Sequence, residues 1–377
     1  MIDQDQASAR QGSISATNPI FGDQPFKLGL FTFSHEGGGL LTKVPERWQP
    51  RWDDVAATAR LADTAGLDFM LPLSGWRGWV GDVSHRRASL EPLTLAATLA
   101  GITRRIGLFS TVAVPFVHPL VVAKMLTTID LASHGRAGLN IVCSWSPEEA
   151  RMFGVRPVAP QRRYHHAQQW YDILSGCLAQ DADSFDYRGE FFEGDDLYNL
   201  PKPLQPRLPI FNAAVSEAGR DFARNNADFL LAAVTDLAAG RAEIDAFRAA
   251  DQGDKPRTGV IGVTTVVCRP TRADAEAYNE RYSVTEADNK ALDAYLVMRG
   301  ANATMPDFGP HERQRHAGGA TIAGSPQDVA DYFIAMHEAG YEGSAMIFVN
   351  FLDELPFFIR EVLPLLERAG IRLPVTA

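Results

Sequence analysis

Apolar residues along the chain form short unbroken runs separated by longer stretches where they recur every three or four positions. The unbroken runs lie at Phe26–Ser34, Asp68–Ser74, Ile106–Val114, Arg136–Cys143, Leu208–Ala214, Asp228–Val234, Thr258–Cys268 and Ser344–Phe351. They read as strands buried on both faces. The periodic stretches read as helices: Trp52–Ala65, Glu91–Thr103, Pro119–Ala132, Arg163–Leu178, Glu217–Asn226, Ala238–Ala250, Arg272–Tyr282 with Pro326–Ala339, and Glu354–Ala369. Gly66 and Gly340 each stand just past a helical face, where a left-handed C-cap is wanted. Eight strand–helix units predict a parallel sheet, and a closed (β/α)8 TIM barrel suits eight units better than an open doubly wound sheet. The expected layout is one α/β barrel over 26–373, with a flexible N-terminal arm over 1–25 and insertions at 181–206 and 282–320. The first insertion is too long and aromatic for a plain connection. The second has few strong apolar runs and reads as a flap.

Composition narrows the function classes. Among 377 residues, 46 acidic against 36 basic side chains leave a net charge of −10, which argues against a nucleic-acid binder. The three cysteines, Cys143, Cys177 and Cys268, are too far apart for a disulfide framework or a CxxC metal site. The nine histidines show no metal spacing, and adjacent His165 and His166 point to different sides of a helix, so no metal is expected. No apolar run approaches the ~18 residues of a membrane span, and the opening stretch does not resemble a signal peptide. The expected location is the cytoplasm. GxGxxG, GxxxxGK[ST] and GxSxG are all missing from the sequence, which removes the usual support for dinucleotide, P-loop and serine-hydrolase readings.

In a parallel barrel, chemistry sits at the C-terminal ends of the strands, so polar residues late in apolar strands are the first candidates. Asn140 and Thr111 are two of these. A buried asparagine amide either finds backbone partners or points into the barrel mouth at a ligand; threonine is also at home in strands for its own sake. Ser146, Pro147 and Glu149 spell a helix N-terminus with a capping box, which accounts for Glu149 structurally. Ser216 opens another helix after a strand and is either a cap or an anion contact. Arg162 and Arg163 are either solvated surface or a clamp above the mouth, and His118 before Pro119 reads as a helix entry residue. Trp76 and Trp79, two tryptophans in one short loop, read as a pocket wall.

The run Ile129–Val142, containing Asp130, Ser133, Gly135, Arg136 and Asn140, resembles the signature of the bacterial-luciferase-like, FMN-dependent monooxygenases. His118-Pro119, Arg163-Tyr164 and Thr321–Pro326 add to the resemblance, which spans Phe26 to Leu373. It is nearest the dimethylsulfone, alkanesulfonate and pyrimidine monooxygenase branch. The resemblance implies a (β/α)8 barrel that takes FMNH2 from a separate NAD(P)H-dependent flavin reductase. It also implies use of O2 to oxygenate a small organosulfur compound or N-heterocycle through a flavin peroxide. By position it implies flavin contacts at Leu73, Ser74, Asn140, Glu149, Arg163, Tyr164 and Ser216, with Asn140 and Thr111 at the reacting edge. Leu71, Trp76, Trp79, Val142 and Trp145 would line the substrate pocket. His118 stands where relatives often have proline, and Ala213-Ala214-Val215-Ser216 departs from their usual phosphate-loop residues. Family habit implies a homodimer or homotetramer. Two other readings stand beside this one: a deazaflavin-dependent hydride-transfer enzyme, and a flavin-binding barrel without turnover.

Overall fold

The computed structural model describes residues 18–143, 146–181, 183–234, 236–250, 257–300 and 319–375. Eight parallel strands close into a ring in sequence order: Lys27–Phe31, Phe69–Leu71, Gly107–Ala113, Ala137–Val142, Ile210–Asn212, Phe229–Ala233, Gly259–Cys268 and Gly343–Ile347. The eighth pairs back onto the first in the register Lys27↔Gly343 to Leu30↔Met346, and the sixth pairs onto the seventh, so the barrel has no open edge. All eight expected strands are present and the fold is a TIM barrel. Gly66 (φ 72°) and Gly340 (φ 97°) take up the expected left-handed conformation.

Two local expectations are corrected. A ninth strand, Ala320–Gly324, pairs with Thr264–Cys268 on the upper half of the seventh strand, outside the ring. The seventh strand is ten residues long, and the eighth pairs only with Ile261–Thr265, which leaves its upper edge to be covered. Ala-Thr-Ile-Ala-Gly is too short and too small-sided to stand out as an apolar run. The last helix begins at Phe351, capped by Asn350, and breaks at Val362 into Phe351–Glu361 and Leu363–Arg368. Pro364 causes the break: it has no N–H to continue the ladder, and its ring crowds the carbonyl four residues back. The first insertion folds into an antiparallel hairpin of Phe185–Arg188 and Glu193–Leu197. The second begins as the helix Asn289–Gly300, and 301–318 lie outside the described residues.

Alternation along the strands makes two cores. Outward-facing Leu28, Leu30, Met70, Leu108, Leu139 and Ile210 pack against the helices. Inward-facing Phe69, Phe109, Phe211 and Phe229 fill the lower lumen. Phe109 meets Phe211 edge-on at 4.8 Å and Phe211 stacks on Phe229 at 5.3 Å. Each such pair adds about 0.5–1.5 kcal/mol beyond area burial. Room for these rings comes from glycines on neighbouring strands: a Cβ at Gly29 would lie 2.3 Å from the Phe69 ring, and one at Gly138 2.4 Å from Phe109. The described part of the N-terminal arm closes the bottom of the barrel. Asn18 is buried, donates to the Ala137 carbonyl at 3.1 Å and caps the turn Pro19–Phe21, and Ile20 joins the lumen core.

The Ile129–Val142 run is largely a device for holding this bottom face. Asp130 accepts from Leu204 N (2.7 Å), Gln205 N (3.1 Å) and Gln205 Nε2 (2.6 Å). Arg136 is buried and donates to the Ser133 (2.7 Å), Ile106 (2.8 Å) and Thr103 (3.0 Å) carbonyls and to Thr103 Oγ1 (2.9 Å). The turn between them needs two left-handed residues, His134 (φ 58°) and Gly135 (φ 85°). Asn140 is the polar side chain of this run that rises toward the mouth.

Candidate active site

At the upper rim, the ends of the first four strands are joined by one chain of hydrogen bonds. Thr111 and Asn140 are register partners on the third and fourth strands. Asn140 Nδ2 donates to Thr111 Oγ1 at 3.2 Å, and Thr111 Oγ1 donates to the Pro72 carbonyl at 2.5 Å. Because the threonine proton is spent on Pro72, its oxygen can only accept from Asn140, which fixes the amide orientation. The same Pro72–Leu73 peptide is held from its other end: Leu73 N donates to Ser34 Oγ at 3.1 Å. Ser34 Oγ in turn bonds the Leu73 carbonyl (3.2 Å) and His35 Nδ1 (2.8 Å). The arc therefore runs from Asn140 on the fourth strand to His35 just past the first.

Both ends of the arc are open. Asn140 Oδ1 and His35 Nε2 are buried and have no hydrogen-bond partner. A buried polar atom left this way costs about 1–3 kcal/mol, so each is a place where a ligand group would restore what folding gave up. Burial, reinforced by Arg86, pushes the His35 imidazole down to about 3, so it stays neutral at ordinary pH. Strain accumulates beside it: Thr32, a β-branched residue, sits at φ 65° where the first strand ends. Ser34 and His35 were missed by the sequence reading. The available signal was a Ser-His pair at the end of the first apolar run, followed by Gly37-Gly38-Gly39.

A second cluster lies beyond the fourth and fifth strands. Ser216 caps the helix Glu217–Asn226, accepting from Gly219 N at 3.3 Å, and the Tyr164 hydroxyl bonds to Ser216. Gly219 is required there, since a Cβ would fall 2.3 Å from the Tyr164 oxygen. Arg163 begins the helix Arg163–Leu178 and lines a cavity with Phe116, Cys143, Ser146 and Val155. A helix N-terminus, two hydroxyls and a guanidinium are the donor set of an anion site. Cys143 is no nucleophile: burial pushes its thiol up to about 12.

Glu149 departs from its expected capping box. Ser146 accepts from Glu149 N at 3.2 Å, but the carboxylate does not return to its own helix. It crosses to the loop after the second strand, where Oε1 accepts from Trp76 N (2.8 Å) and Arg77 N (3.2 Å). A charged acceptor binds a pair of backbone N–H groups more strongly than one more cap bond would. Trp76 then packs edge-on against Phe153 at 5.1 Å, and Phe153 stacks on Phe116 at 4.4 Å. Leu71 lies in the lumen core, Leu73 packs against it, and Ser74 and Val142 are half-buried at the rim. Trp145 and the Trp79 side chain lie outside the described residues. His118 caps the helix Pro119–Ser133 through Nδ1, as an entry residue should.

A buried His85–Asp288 pair (3.0 Å), also missed in the sequence reading, ties the loop after the second strand to the second insertion. Asp288 is held down to about 2, burial being outweighed by hydrogen bonds from Val83, Asp82 and Ala291 N–H groups and from His85. Among the described residues no cluster of His, Cys, Asp and Glu could hold a metal ion, and no helix is long and apolar enough to cross a membrane.

Comparison with known proteins gives the family. The family model for luciferase-like monooxygenases matches residues 26–343. The chain is 26% identical to an FMNH2-dependent dimethylsulfone monooxygenase of Pseudomonas putida, over 91% of this chain and 96% of the relative. It is 30% identical to the pyrimidine monooxygenase RutA of Variovorax paradoxus, over 92% and 96%. Among solved structures it resembles the EDTA monooxygenase EmoA of Chelativorans (TM-score 0.80, 20% identity, 92% and 95% covered), a likeness of fold.

Proposed function

The chain belongs to the luciferase-like monooxygenase family, and from that premise we propose that it is the oxygenating half of a two-component enzyme. It takes reduced FMN from an NAD(P)H-dependent flavin reductase and oxygenates a small organic molecule, an organosulfur compound or an N-heterocycle. When bound, reduced FMN supplies the electron pair that lets one atom of O2 go to the substrate while the other leaves as water.

The observation that carries this reading is the buried, unpartnered Asn140 Oδ1 at the barrel mouth. It is an acceptor that would take a flavin ring N–H, and Thr111 and Pro72 hold it in place. Ser216, Tyr164, Arg163 and the N-terminus of the helix Glu217–Asn226 fit the phosphate. Leu73, Ser74 and Val142 at the rim, above Leu71 in the lumen core, would surround the ring. Glu149 pins the Trp76–Arg77 turn, and the Trp76, Phe153 and Phe116 rings pack together beside it. Such preorganised hydrogen-bonding groups are worth about two decades in rate.

On this reading the enzyme works in the cytoplasm, beside its reductase, as a homodimer or homotetramer. Exposed Val121, Tyr198 and Leu200 by the helix Pro119–Ser133 offer apolar surface for such an assembly. The test is oxygen uptake with FMN, NADH and a separate flavin reductase, with released hydrogen peroxide measured when substrate is missing. Uptake that depends on this protein supports the reading. Hydride transfer to a deazaflavin without oxygen uptake, or FMN binding with no uptake, would replace it with one of its two rivals.

A further inference from the structure

We propose that His35 Nε2 is the substrate's hydrogen-bond acceptor, and that it selects substrates carrying an N–H donor, as lactam-type N-heterocycles do, over acceptor-only molecules such as sulfones. The inference rests on the monooxygenase reading above and deepens it.

The tautomer follows from the contacts of Ser34. Its Oγ makes three: Leu73 N (3.1 Å), the Leu73 carbonyl (3.2 Å) and His35 Nδ1 (2.8 Å). A hydroxyl has one proton, and a carbonyl can only accept, so that proton goes to Leu73 O. With all three contacts made as hydrogen bonds, Leu73 N–H and His35 Nδ1–H both donate to Oγ. The imidazole proton is on Nδ1, and Nε2 carries a bare lone pair. That nitrogen is buried and unpartnered.

Only a glycine fits against this nitrogen. Gly75 stands directly before Nε2, and a Cβ there would come within 2.8 Å of the nitrogen. The backbone that presents His35 carries strain at Thr32, a β-branched residue at φ 65°.

Position assigns the nitrogen to substrate and the Asn140 oxygen to the flavin. The anion cluster of Arg163, Tyr164 and Ser216 follows the fourth and fifth strands. Asn140 is on the fourth strand, at the near end of the arc, whereas His35 follows the first strand, at the far end. A flavin whose phosphate is held on the near side would meet Asn140, which leaves His35, at the far end of the arc, for the substrate. A neutral lone pair satisfies an N–H, and against a sulfone oxygen it is repulsive.

The experiment is calorimetric titration of the FMN-loaded protein with 2-pyridone, uracil and succinimide, each beside its N-methylated counterpart, and with dimethyl sulfone. Two variants separate the roles of the ring nitrogens, because an asparagine amide overlies Nδ1 and a glutamine amide overlies Nε2. Wild type should hold at least one N–H heterocycle about tenfold more tightly than its methylated twin. His35→Asn should abolish that preference, His35→Gln should keep part of it, and both should bind FMN as wild type does. The proposal falls if no heterocycle is preferred over its twin, or if His35→Asn keeps the preference. It falls equally if His35→Asn, with its melting temperature unchanged, loses FMN and heterocycle together, since the ring would then be a prop for Leu73. Failure of wild type to bind FMN at all would show in the same titrations, and would overturn the monooxygenase reading instead.

Discussion

The two ends of the fourth barrel strand treat polar groups in opposite ways. Below it, Asp130 and Arg136 spend their hydrogen-bonding capacity on backbone and side chains of the fold. Above it, the arc from Asn140 to His35 is equally well connected along its length but ends in two buried, unpartnered acceptors. The lower network is complete without a ligand and the upper one is not. Stability should therefore depend on the bottom of the strand and function on the top.

The largest test breaks the lower network. Asp130→Ala strands the Leu204 and Gln205 backbone N–H groups and one N–H of the Gln205 amide, and should cost about 3–5 kcal/mol. Thermal unfolding reads this as a large drop in melting temperature. Asn140→Ala should do the reverse, lowering turnover about 100-fold while barely moving the melting temperature, because it removes one 3.2 Å bond together with an unsatisfied oxygen.

His35 sharpens the contrast through pH. Its folded pKa, about 3, lies below the ~6.5 of an unfolded histidine, so the unfolded chain takes up the proton first. Its contribution to stability is intact above pH ~6.5 and is lost as pH falls toward 3, at up to ~1.4 kcal/mol per pH unit. Denaturant melts between pH 7 and 5 should show a shallower loss in His35→Asn than in wild type. Glu149→Gln keeps an acceptor for Trp76 N and Arg77 N but removes its charge. A several-fold rise in KM with kcat nearly unchanged is expected in steady-state kinetics.

The same contrast explains what was legible in the sequence. All eight barrel strands could be read because each is buried on both faces and is therefore a continuous apolar run. The strand Ala320–Gly324 could not, since it covers one edge and is built from small residues. At the site, Thr111 and Asn140 were visible as polar residues inside apolar strands. Ser34 and His35 sit just past a strand, where polar residues are ordinary, and only the orphaned nitrogen and the strained Thr32 distinguish them. The capping box at Glu149 is only half formed for a related reason: Ser146 caps its N–H, but the partners of its carboxylate, Trp76 and Arg77, lie more than seventy residues away.

The most direct test of the claim that the upper rim is completed by its ligand is an anaerobic titration of wild type and Asn140→Ala with reduced and with oxidised FMN. Reduced flavin carries ring N–H groups that oxidised flavin lacks, and Asn140 Oδ1 is an acceptor without a partner. The account predicts that wild type prefers the reduced form and that Asn140→Ala loses about tenfold in affinity for it, with little change for the oxidised form. Equal binding of reduced FMN by the two proteins would contradict it.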